Sequence, residues 1–481
     1  MASVKSQDEL LSALFTLLAF SYSITLIKAD KYSLKFGLLS FFCYILALFS
    51  KEGAVAMLLI FPLAFMILFS QPLKRSLLYS APYAGAALIF LFARNMVLSG
   101  EVQNYHNTVL ENVLYNAGSF AQASATKMEI LFHYLRLLFV PLSLSWDYSY
   151  NQVPLVNWDS FLAWISLLFY AGMLGFAILK LKKKPVISFA ILFYLIMLAP
   201  TSNFFFLIGT VVSERFLFLP SLGFIIVLVY GLAGILKIDI AKYNTTVWNK
   251  LTTICLAIFI LFTGLTISRS NDWQSNFTIY KAGAENAPNS SRTNNSLGNK
   301  YRVMAEQESD PQLKAAYFAN AIKYLKASLV ILPSNKDALY GLGVTYGEMG
   351  DNANSLESYR NTIKFYPDHR SALNNIGSFF LNTGKLDSAY LYLKRCYDVD
   401  TTIAKSSQNL AAYYFKMGNS DQSIQFAKNA IRLDKYIRPS YELLINVYKA
   451  MGNMEESAKY EKLYHESAAE DPNSQSPKTE N

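Results

Sequence analysis

One pattern of nine residues recurs in the second half of the chain: LGVTYGEMG (342–350), IGSFFLNTG (376–384), LAAYYFKMG (410–418) and LINVYKAMG (444–452). The copies are 34 residues apart. Each begins with Leu or Ile, has Tyr or Phe at its fifth position and ends with Gly, and Ser or Ala follows five residues later. An aromatic residue between two helices, a glycine at their turn and a small residue at their crossing describe a helix–turn–helix unit. The pattern therefore predicts four stacked helical pairs over residues 336–469.

A period of 34 residues is that of the tetratricopeptide repeat, which stacks into a solenoid with a concave groove. Pro333 and Pro367 fall between units, where a proline ends a helix. Such grooves bind an extended peptide or a partner helix, so we expect a polypeptide partner. Asn375 and Asn409 occupy equivalent positions one repeat apart, and their amides suit hydrogen bonds to a peptide backbone. Alternatively, a small polar residue is simply common at this position.

A degenerate repeat precedes the regular ones. Leu297, Gly298 and Tyr301 match the first helix of a unit, while its second helix, at 321–332, begins about eleven residues later than in the other units. Residues 270–335 are therefore expected to form a linker and this degenerate unit. The polar tail at residues 470–481 has the composition of a disordered segment.

The composition excludes a purely soluble enzyme. Hydrophobic residues make up 53% of the 481-residue chain and charged residues only 16%, whereas about a quarter of the residues of a soluble domain are charged. The long apolar blocks all lie before Asn271. With 34 Phe and 32 Tyr, the chain also has too much apolar surface to be disordered. The sequence therefore predicts a membrane half followed by a soluble half.

Nine apolar runs lie in residues 1–269, and a helix that spans a bilayer needs about 20 mostly apolar residues. The runs are Leu10–Ile27, Phe36–Ser50, Ala54–Ser70, Leu77–Ala93, Met128–Leu142, Phe161–Leu179, Val186–Ala199, Leu217–Leu236 and Leu251–Ile267. Met128–Leu142 is short and carries His133 and Arg136, which are costly at bilayer depth. We therefore predict an all-α, polytopic membrane helix bundle with about eight spans and one interfacial or re-entrant helix.

Lysine and arginine indicate the orientation of the spans, because cytoplasmic loops carry an excess of both. Four basic clusters follow alternate spans: Lys28–Lys35, Lys74–Arg75, Lys180–Lys184 and Lys237–Lys250. With these clusters in the cytoplasm, the chain begins outside, and everything after Ile267 is outside too. We therefore predict an integral, multi-pass membrane protein whose repeats lie on the non-cytoplasmic side, in a periplasm or an ER lumen.

The net charge of +9, from 43 Lys and Arg against 34 Asp and Glu, suits contacts with anionic lipid headgroups. We therefore expect membrane lipids as partners and no nucleic acid. The 3 cysteines and 4 histidines show neither metal-ligand nor disulfide spacing. Neither a metal site nor a cofactor is expected.

Polar residues crowd the predicted outer ends of the spans, where they are costly and often functional. Seven of them form a candidate set for binding a lipid-linked phosphate: Lys51, Glu52, Arg94, Arg136, Asn203, Glu214 and Arg215. Arginine holds phosphate by bidentate hydrogen bonds, and Glu52 or Glu214 has the chemistry of a general base. Each residue alone is more often an interface anchor or part of a structural ion pair. Their clustering on one side favours a binding site.

The order of four motifs resembles that of a known family. The motifs are SKEGAV (50–55), RNMVLSG (94–100), YLRLLFVPLSLSWDY (134–148) and the block from PTSN (200–203) to IGTVVSERFLFLPS (208–221). Followed by tetratricopeptide repeats, they resemble the transmembrane-and-tetratricopeptide-repeat O-mannosyltransferases and their bacterial relatives. The resemblance covers nearly the whole chain. It implies a C-type glycosyltransferase fold and transfer of a sugar, mannose or similar, from a polyprenyl- or dolichyl-phosphate carrier to protein Ser or Thr outside the cytoplasm.

The chain departs from the family pattern at its start. The resemblance places catalytic acidic residues in the first outer loop, with two further spans before the segment that QDELL (7–11) resembles. Three spans and that loop are therefore expected to be missing, which makes the bundle N-terminally incomplete and leaves the catalytic base unknown. A misplaced or truncated start, a non-catalytic remnant, and a second chain that supplies the missing part are three explanations.

Two classes of function follow from these features. The first is a membrane glycosyltransferase whose repeats bind the acceptor or a partner protein. The second is a non-catalytic, membrane-anchored scaffold whose repeats recruit partners and whose polar cluster is structural. A transporter is disfavoured, because no Gly- or Pro-interrupted spans recur in corresponding halves of the chain.

Overall fold

A computed structural model describes residues 7–28, 33–98, 109–238 and 245–470. Within these ranges the regular structure consists of 20 α-helices and a few short 3-10 turns, with no strand. The predicted fold class, membrane helices followed by tetratricopeptide repeats, is confirmed. The chain forms two compact units, residues 1–300 and 301–481. Lys31 and Lys242 of the basic clusters and the tail after Glu470 lie outside the described residues.

The first unit contains the predicted membrane helices and the helices that follow them. They are α1 (Gln7–Lys28), α2 (Leu34–Ser50), α3 (Met57–Leu68), α4 (Leu73–Leu98), α5 (Phe120–Phe139), α6 (Phe161–Leu179), α7 (Pro185–Leu198), α8 (Pro220–Ile235), α9 (Thr245–Asn271), α10 (Asn276–Asn286) and α11 (Ser291–Gln307), the last of which continues into the second unit.

Each of the eight predicted spans coincides with a helix. Four helical segments are long and apolar enough to cross a membrane: Gln7–Lys28, Leu73–Leu98, Phe161–Leu179 and Asn249–Asn271. The other four predicted spans lie on shorter apolar helices. The predicted interfacial helix is α5, which begins at Phe120 rather than Met128. The Ser119 hydroxyl accepts a hydrogen bond from the Gln122 amide and caps this earlier first turn.

Helices α1 to α4 pack around an aromatic centre. The rings of Phe61 and Tyr83 stack with their centroids 3.9 Å apart, and Tyr44 lies edge-on to both. The Tyr83 hydroxyl meets Ser23 Oγ at 2.5 Å and Ser40 Oγ at 2.9 Å, which joins α1, α2 and α4. A buried hydroxyl without a partner is costly in an apolar interior. These three side chains satisfy one another and fix the register of the helices.

Helices α7 and α8 cross at a close contact. A Cβ on Gly223 would lie 2.5 Å from the Ala190 carbonyl oxygen and 3.0 Å from the Tyr194 amide nitrogen. Only glycine therefore permits this backbone approach. The Tyr194 hydroxyl lies 2.7 Å from that of Tyr170 on α6, and Tyr170 donates to the Leu131 carbonyl of α5. Helices α5 to α8 are thereby tied together.

The second unit is built from helical pairs. Its helices after α11 are α12 (Pro311–Ile331), α13 (Lys336–Glu348), α14 (Asn352–Phe365), α15 (Arg370–Asn382), α16 (Leu386–Val399), α17 (Ala404–Lys416), α18 (Ser420–Leu433), α19 (Arg438–Ala450) and α20 (Met454–Glu470). Packed helical pairs are α13–α14, α15–α16, α17–α18 and α19–α20, at the places of the four predicted repeats. The predicted degenerate unit falls on α11 and α12, and it stays a prediction.

The repeating residues have the roles that their spacing predicts. The turn glycines Gly350, Gly384, Gly418 and Gly452 have φ angles of 79°, 74°, 73° and 74°, which a residue with a side chain rarely adopts. The small residue five positions after each turn glycine allows a close crossing of the two helices. Where it is serine, it also makes a hydrogen bond across that crossing. Ser355 Oγ donates to the Gly343 carbonyl at 2.7 Å, and Ser423 Oγ donates to the Ala411 carbonyl at 3.0 Å. Each bond joins the two helices of one repeat.

We predict that Gly223→Ala destabilises the first unit by about 1–3 kcal/mol, because the added methyl group overpacks the α7–α8 crossing. Gly231→Ala on the same helix is the matched control, since a Cβ there meets no atom within 4 Å and alanine favours the helix. Thermal unfolding of the full chain in detergent, followed by circular dichroism, measures the difference. Equal melting temperatures for the two variants would show that the α7–α8 crossing does not require a glycine at residue 223.

We predict that Gly384→Ala destabilises the α15–α16 pair by about 1–2 kcal/mol, the cost of a left-handed backbone for a residue with a Cβ. Gly384→Asn should cost less, because asparagine tolerates this conformation. Hydrogen exchange of the α15 and α16 amides in the full chain measures both effects. Protection that is unchanged in Gly384→Ala would show that the turn does not require glycine.

Candidate functional site

Charged side chains from three helix ends meet at one end of the α1–α4 bundle. Lys51 follows α2, and its Nζ atom lies 2.6 Å from Asp8 Oδ2 and 3.3 Å from Glu9 Oε1 in the first turn of α1. Arg94 near the end of α4 places Nη2 3.4 Å from Glu52 Oε2. The structure thus brings Lys51, Glu52 and Arg94 together. It adds Asp8 and Glu9, which were not in the candidate set.

Arg215 lies on the 3-10 turn Glu214–Leu217 that precedes α8. Its guanidinium is exposed and lies 5.6 Å from the centre of the Phe216 ring. No carboxylate among the described residues lies within 4.0 Å of it, although it is near enough to Asp8 to interact electrostatically. Arg215 is therefore a cation available to an anionic ligand beside the Asp8–Lys51 ion pair.

Glu214, on the same turn, is held by two neutral donors. The Ser145 amide donates to Glu214 Oε1 at 2.7 Å, and the Tyr148 hydroxyl donates to the same atom at 2.6 Å. Burial raises the pKa of Glu214, and the two hydrogen bonds and the charge of Arg269 offset this only in part. Burial and the Glu214 carboxylate also raise the pKa of Tyr148. Tyr148 therefore remains a hydrogen-bond donor.

Helix α5 contacts this turn through Tyr134. The Ser213 amide, next to Glu214, donates to the Tyr134 hydroxyl at 3.2 Å. Two residues along α5, the exposed Arg136 has Nη2 3.4 Å from His133 Nδ1. Burial, with the adjacent Arg136 charge, lowers the pKa of His133 to about 4, so the imidazole is neutral near pH 7. His133 therefore leaves the positive charge of Arg136 uncompensated.

Asn203 is buried and organises a loop. It is fully buried and has a φ of 61°. Its Oδ1 atom accepts from Asn112 Nδ2 at 2.9 Å and from the Ile208 amide at 3.0 Å, and its Nδ2 donates to the Val211 carbonyl at 3.3 Å. Asparagine is one of the few residues that tolerate this backbone conformation. Its side chain is thus used in shaping the loop between α7 and the Glu214 turn.

The segment after α9 packs on the loop at residues 144–152, which sequence reasoning did not predict. Asp147 accepts hydrogen bonds from Ser290 Oγ at 2.9 Å and from Arg292 Nη1 at 3.4 Å, and Arg292 also lies 3.8 Å from Glu111. The Asn151 amide donates to the Asn289 carbonyl at 2.8 Å. The sequence feature that could have predicted this contact is the polar run after the last span. The pattern of basic clusters puts that run on the same predicted side of the membrane as this loop.

In the repeats, the two predicted groove amides bond to the preceding unit. Asn409 is buried, and its Nδ2 donates to Asn374 Oδ1 at 2.6 Å and to Ser378 Oγ at 3.1 Å. Asn375 Nδ2 donates to the Tyr340 hydroxyl at 3.4 Å. Both amides therefore help to join successive repeats. A cleft of about 840 Å³ lies instead beside α16 and is lined by Tyr390, Leu391, Lys394 and Tyr413, among others.

Two of the candidate arginines lie near the Asp8–Lys51 ion pair. Arg94 pairs with Glu52, which follows Lys51 in the chain, and Arg215 is near enough to Asp8 to interact electrostatically. One guanidinium group can bind two phosphate oxygens at once, through two parallel N–H···O hydrogen bonds. Within the described ranges, no group of three or more His, Cys, Asp or Glu side chains is placed to hold a metal ion.

Comparison with known sequences identifies the repeats. Tetratricopeptide repeat family models match residues 337–369, 371–402 and 404–436. Among solved structures, a crystal structure of MamA has 24% sequence identity and a TM-score of 0.30, over 34% of this chain and 96% of that one. The crystal structure of YrrB has 11% identity and a TM-score of 0.32, over 40% of this chain and 93% of that one.

The relatives found by sequence are named O-mannosyl-transferases. Protein O-mannosyl-transferase TMTC1 of Mus musculus is 26% identical over 249 residues, which is 50% of this chain and 21% of that protein. TMTC3 of Homo sapiens is 29% identical over 246 residues, 48% of this chain and 24% of that protein. F38B6.6 of Caenorhabditis elegans is 26% identical over 327 residues, 67% of this chain and 43% of that protein. The matched region is less than half the length of each relative.

The repeats, the apolar helices and these relatives agree with the resemblance seen in the sequence. The chain is a membrane protein, and its sequence is similar to those of proteins named O-mannosyl-transferases and of tetratricopeptide repeats.

Proposed function

We propose that the chain is a membrane glycosyltransferase that transfers a sugar, mannose or similar, from a polyprenyl- or dolichyl-phosphate carrier to protein Ser or Thr. The relatives named O-mannosyl-transferases support the reaction class. The observation that carries the proposal is the exposed Arg215, which has no ion-pair partner among the described residues and lies beside the Asp8–Lys51 pair. An unpaired guanidinium at the end of apolar helices suits a phosphate on a lipid carrier.

In this proposal three arginines contact the carrier phosphate. Arg94 and Arg215 approach it from α4 and from the Glu214 turn, and Arg136 approaches it from α5. Lys51 and Glu52 hold the α1 and α4 ends in place through their ion pairs, and Asn203 holds the loop that leads to Arg215. When the sugar leaves the carrier, the phosphate gains charge, and the arginines stabilise that charge.

We also propose a multi-pass topology with the repeats outside the cytoplasm. The packing of Ser290 and Arg292 on Asp147 supports it, because this segment directly follows α9 and the same loop donates to Glu214. The proposed organisation is a membrane domain at 1–269, a linker and degenerate repeat at 270–335, and four repeats at 336–469. The repeats would bind the acceptor or a partner protein, with Asn375 and Asn409 at the groove.

The alternative is a non-catalytic, membrane-anchored scaffold for protein assembly. Its supporting observation is that Asp8, Glu9 and Glu52 are each within 4.0 Å of a lysine or arginine. A carboxylate held in an ion pair is a weaker proton acceptor, because the cation stabilises its charged form. In a scaffold these pairs would serve only to hold the helix ends together.

Donor binding separates the two proposals. We predict that Arg94→Ala and Arg215→Ala each weaken binding of dolichyl phosphate to the full chain in lipid nanodiscs by roughly 10- to 100-fold, because a hydrogen bond to a charged group contributes about 1.5–3 kcal/mol. Arg75→Ala is the matched control, since Arg75 is an exposed arginine at the opposite end of α4. Its affinity should be that of the unaltered chain. Equal affinity in all three variants would refute the proposed site and favour the scaffold.

The topology is tested with a reporter that is active only outside the cytoplasm. We predict activity when it is fused after Asn481 and none when it is fused after Lys237, at the end of α8, because the basic cluster there should be cytoplasmic. If the Lys237 fusion were active and the Asn481 fusion inactive, the orientation would be opposite to the proposed one.

A further inference from the structure

The segment at residues 110–112, before α5, holds the loop that leads to Arg215. Asn112 is completely buried, and its Nδ2 atom donates to Asn203 Oδ1 at 2.9 Å. Asn203 Nδ2 donates in turn to the Val211 carbonyl at 3.3 Å, four residues before Arg215. Buried amide groups need such partners. This segment therefore supports the approach to the turn from one side.

The loop at residues 144–152, after α5, holds the turn itself. Two donors of this loop, the Ser145 amide and the Tyr148 hydroxyl, bond the carboxylate of Glu214. Asp147 lies between the two donors in sequence, and its side chain accepts from the amide two residues later, which fixes the local backbone. The loop therefore supports the turn from a second side.

Arg292, in the first turn of α11, pairs with a carboxylate from each of these two stretches. Its Nη1 atom lies 3.4 Å from Asp147 Oδ1, and its Nη2 atom lies 3.8 Å from Glu111 Oε1. In the part of the chain that the structure describes, no other lysine or arginine lies within 4.0 Å of either carboxylate. The exposed fractions of the three side chains are 34% for Arg292, 24% for Glu111 and 10% for Asp147. Arg292 is therefore the cation that bridges the two stretches.

Loss of the Arg292 charge would leave two partly buried carboxylates without a cation. A charge that loses its partner in such a place is costly, and two like charges repel each other. The repulsion favours separation of the two stretches, which are otherwise joined by the 3.0 Å hydrogen bond from the Tyr150 amide to the Leu110 carbonyl. Since each stretch supports one side of the turn, their separation would change where Arg215 lies.

We propose that Arg292 is a positioning residue of the candidate phosphate site: it holds the two stretches together and thereby sets the position of Arg215. The effect on phosphate binding rests on the proposed function, whereas the effect on the turn does not. Arg292 follows the last apolar helix, in the segment that leads into the repeats. The site therefore extends beyond the membrane helices.

Substitution of the Arg292 side chain should leave α11 in place. The Ser291 amide donates to the Tyr150 carbonyl at 2.7 Å, and the Asn151 amide donates to the Asn289 carbonyl at 2.8 Å. Because these bonds join main-chain atoms only, they do not depend on the side chain at residue 292. A change in the turn can therefore be separated from a loss of the α11 contact.

Hydrogen exchange of the full chain in lipid nanodiscs tests the effect on the turn. The amides to follow are those of Ser213, Phe216 and Phe218, which are hydrogen-bonded in the structure. We expect Arg292→Gln to speed their exchange by about 10- to 100-fold, the scale of a lost hydrogen bond to a charged group. Arg292→Lys should restore most of the protection, because it keeps a cation beside both carboxylates.

Arg302→Gln is the matched control. Arg302 also lies on α11, is 20% exposed and pairs with two carboxylates, those of Glu306 and Glu348. Neither of these belongs to the two stretches, so exchange at the turn should not change in this variant.

Dolichyl phosphate binding by the same variants tests the effect on the site. We expect Arg292→Gln to weaken binding by roughly 3- to 10-fold in the unaltered background and to have no effect in an Arg215→Ala background, because Arg292 acts through Arg215. A substitution that merely destabilised the fold would weaken binding in both backgrounds.

Each other outcome overturns a distinct statement. Unchanged exchange at the turn in Arg292→Gln, or faster exchange throughout the first unit, would refute the inference whatever the chain binds. Equal weakening of binding in both backgrounds would refute it too, since Arg292 would then not act through Arg215. If exchange at the turn rises but dolichyl phosphate binding does not depend on Arg215, the proposed function fails, while Arg292 still holds the turn.

Discussion

The placement of charge in the first unit follows from one constraint, the cost of a charged side chain at bilayer depth. Apolar helices confine charges to their ends, so successive helices deliver them alternately to two surfaces. At one surface the structure gathers the start of α1, the end of α2 and the end of α4, where Lys51 bonds Asp8 and Arg94 bonds Glu52. The candidate site therefore arises from the antiparallel packing of the bundle.

The same constraint explains the polar contacts within the bundle. A buried hydroxyl needs a partner, and Ser23, Ser40 and Tyr83 provide one another with partners across three helices. Tyr170 and Tyr194 do the same between α6 and α7. Each hydroxyl fixes how far its helix slides along its neighbour. The helix ends, and with them the charged groups, are thereby held at matching heights.

The turn that carries Glu214 and Arg215 is held from several directions. Tyr134 of α5 accepts from Ser213, Ser145 and Tyr148 donate to Glu214, and Asn203 closes the preceding loop. Preorganised groups need no rearrangement when charge develops on a substrate, and this lowers the barrier to reaction. The rigidity of this turn is therefore what a transfer site would require. Its aromatic supports, Tyr134 and Tyr148, lie far from it in sequence.

The sequence by itself determined the elements of this protein. The period of 34 residues predicted the repeats because each unit carries its own turn glycine and packing aromatic, and the apolar runs predicted the membrane helices because length and hydropathy are local properties. The alternation of spans also predicts that Arg94, Arg136 and Arg215 lie on one surface. Only the tertiary structure decided which carboxylate each cation meets. It assigned Asp8 to Lys51, buried Asn203 in its own loop, turned Asn409 toward the preceding repeat and left Glu214 with neutral partners. These outcomes depend on the distances between side chains on different helices, which no local pattern encodes.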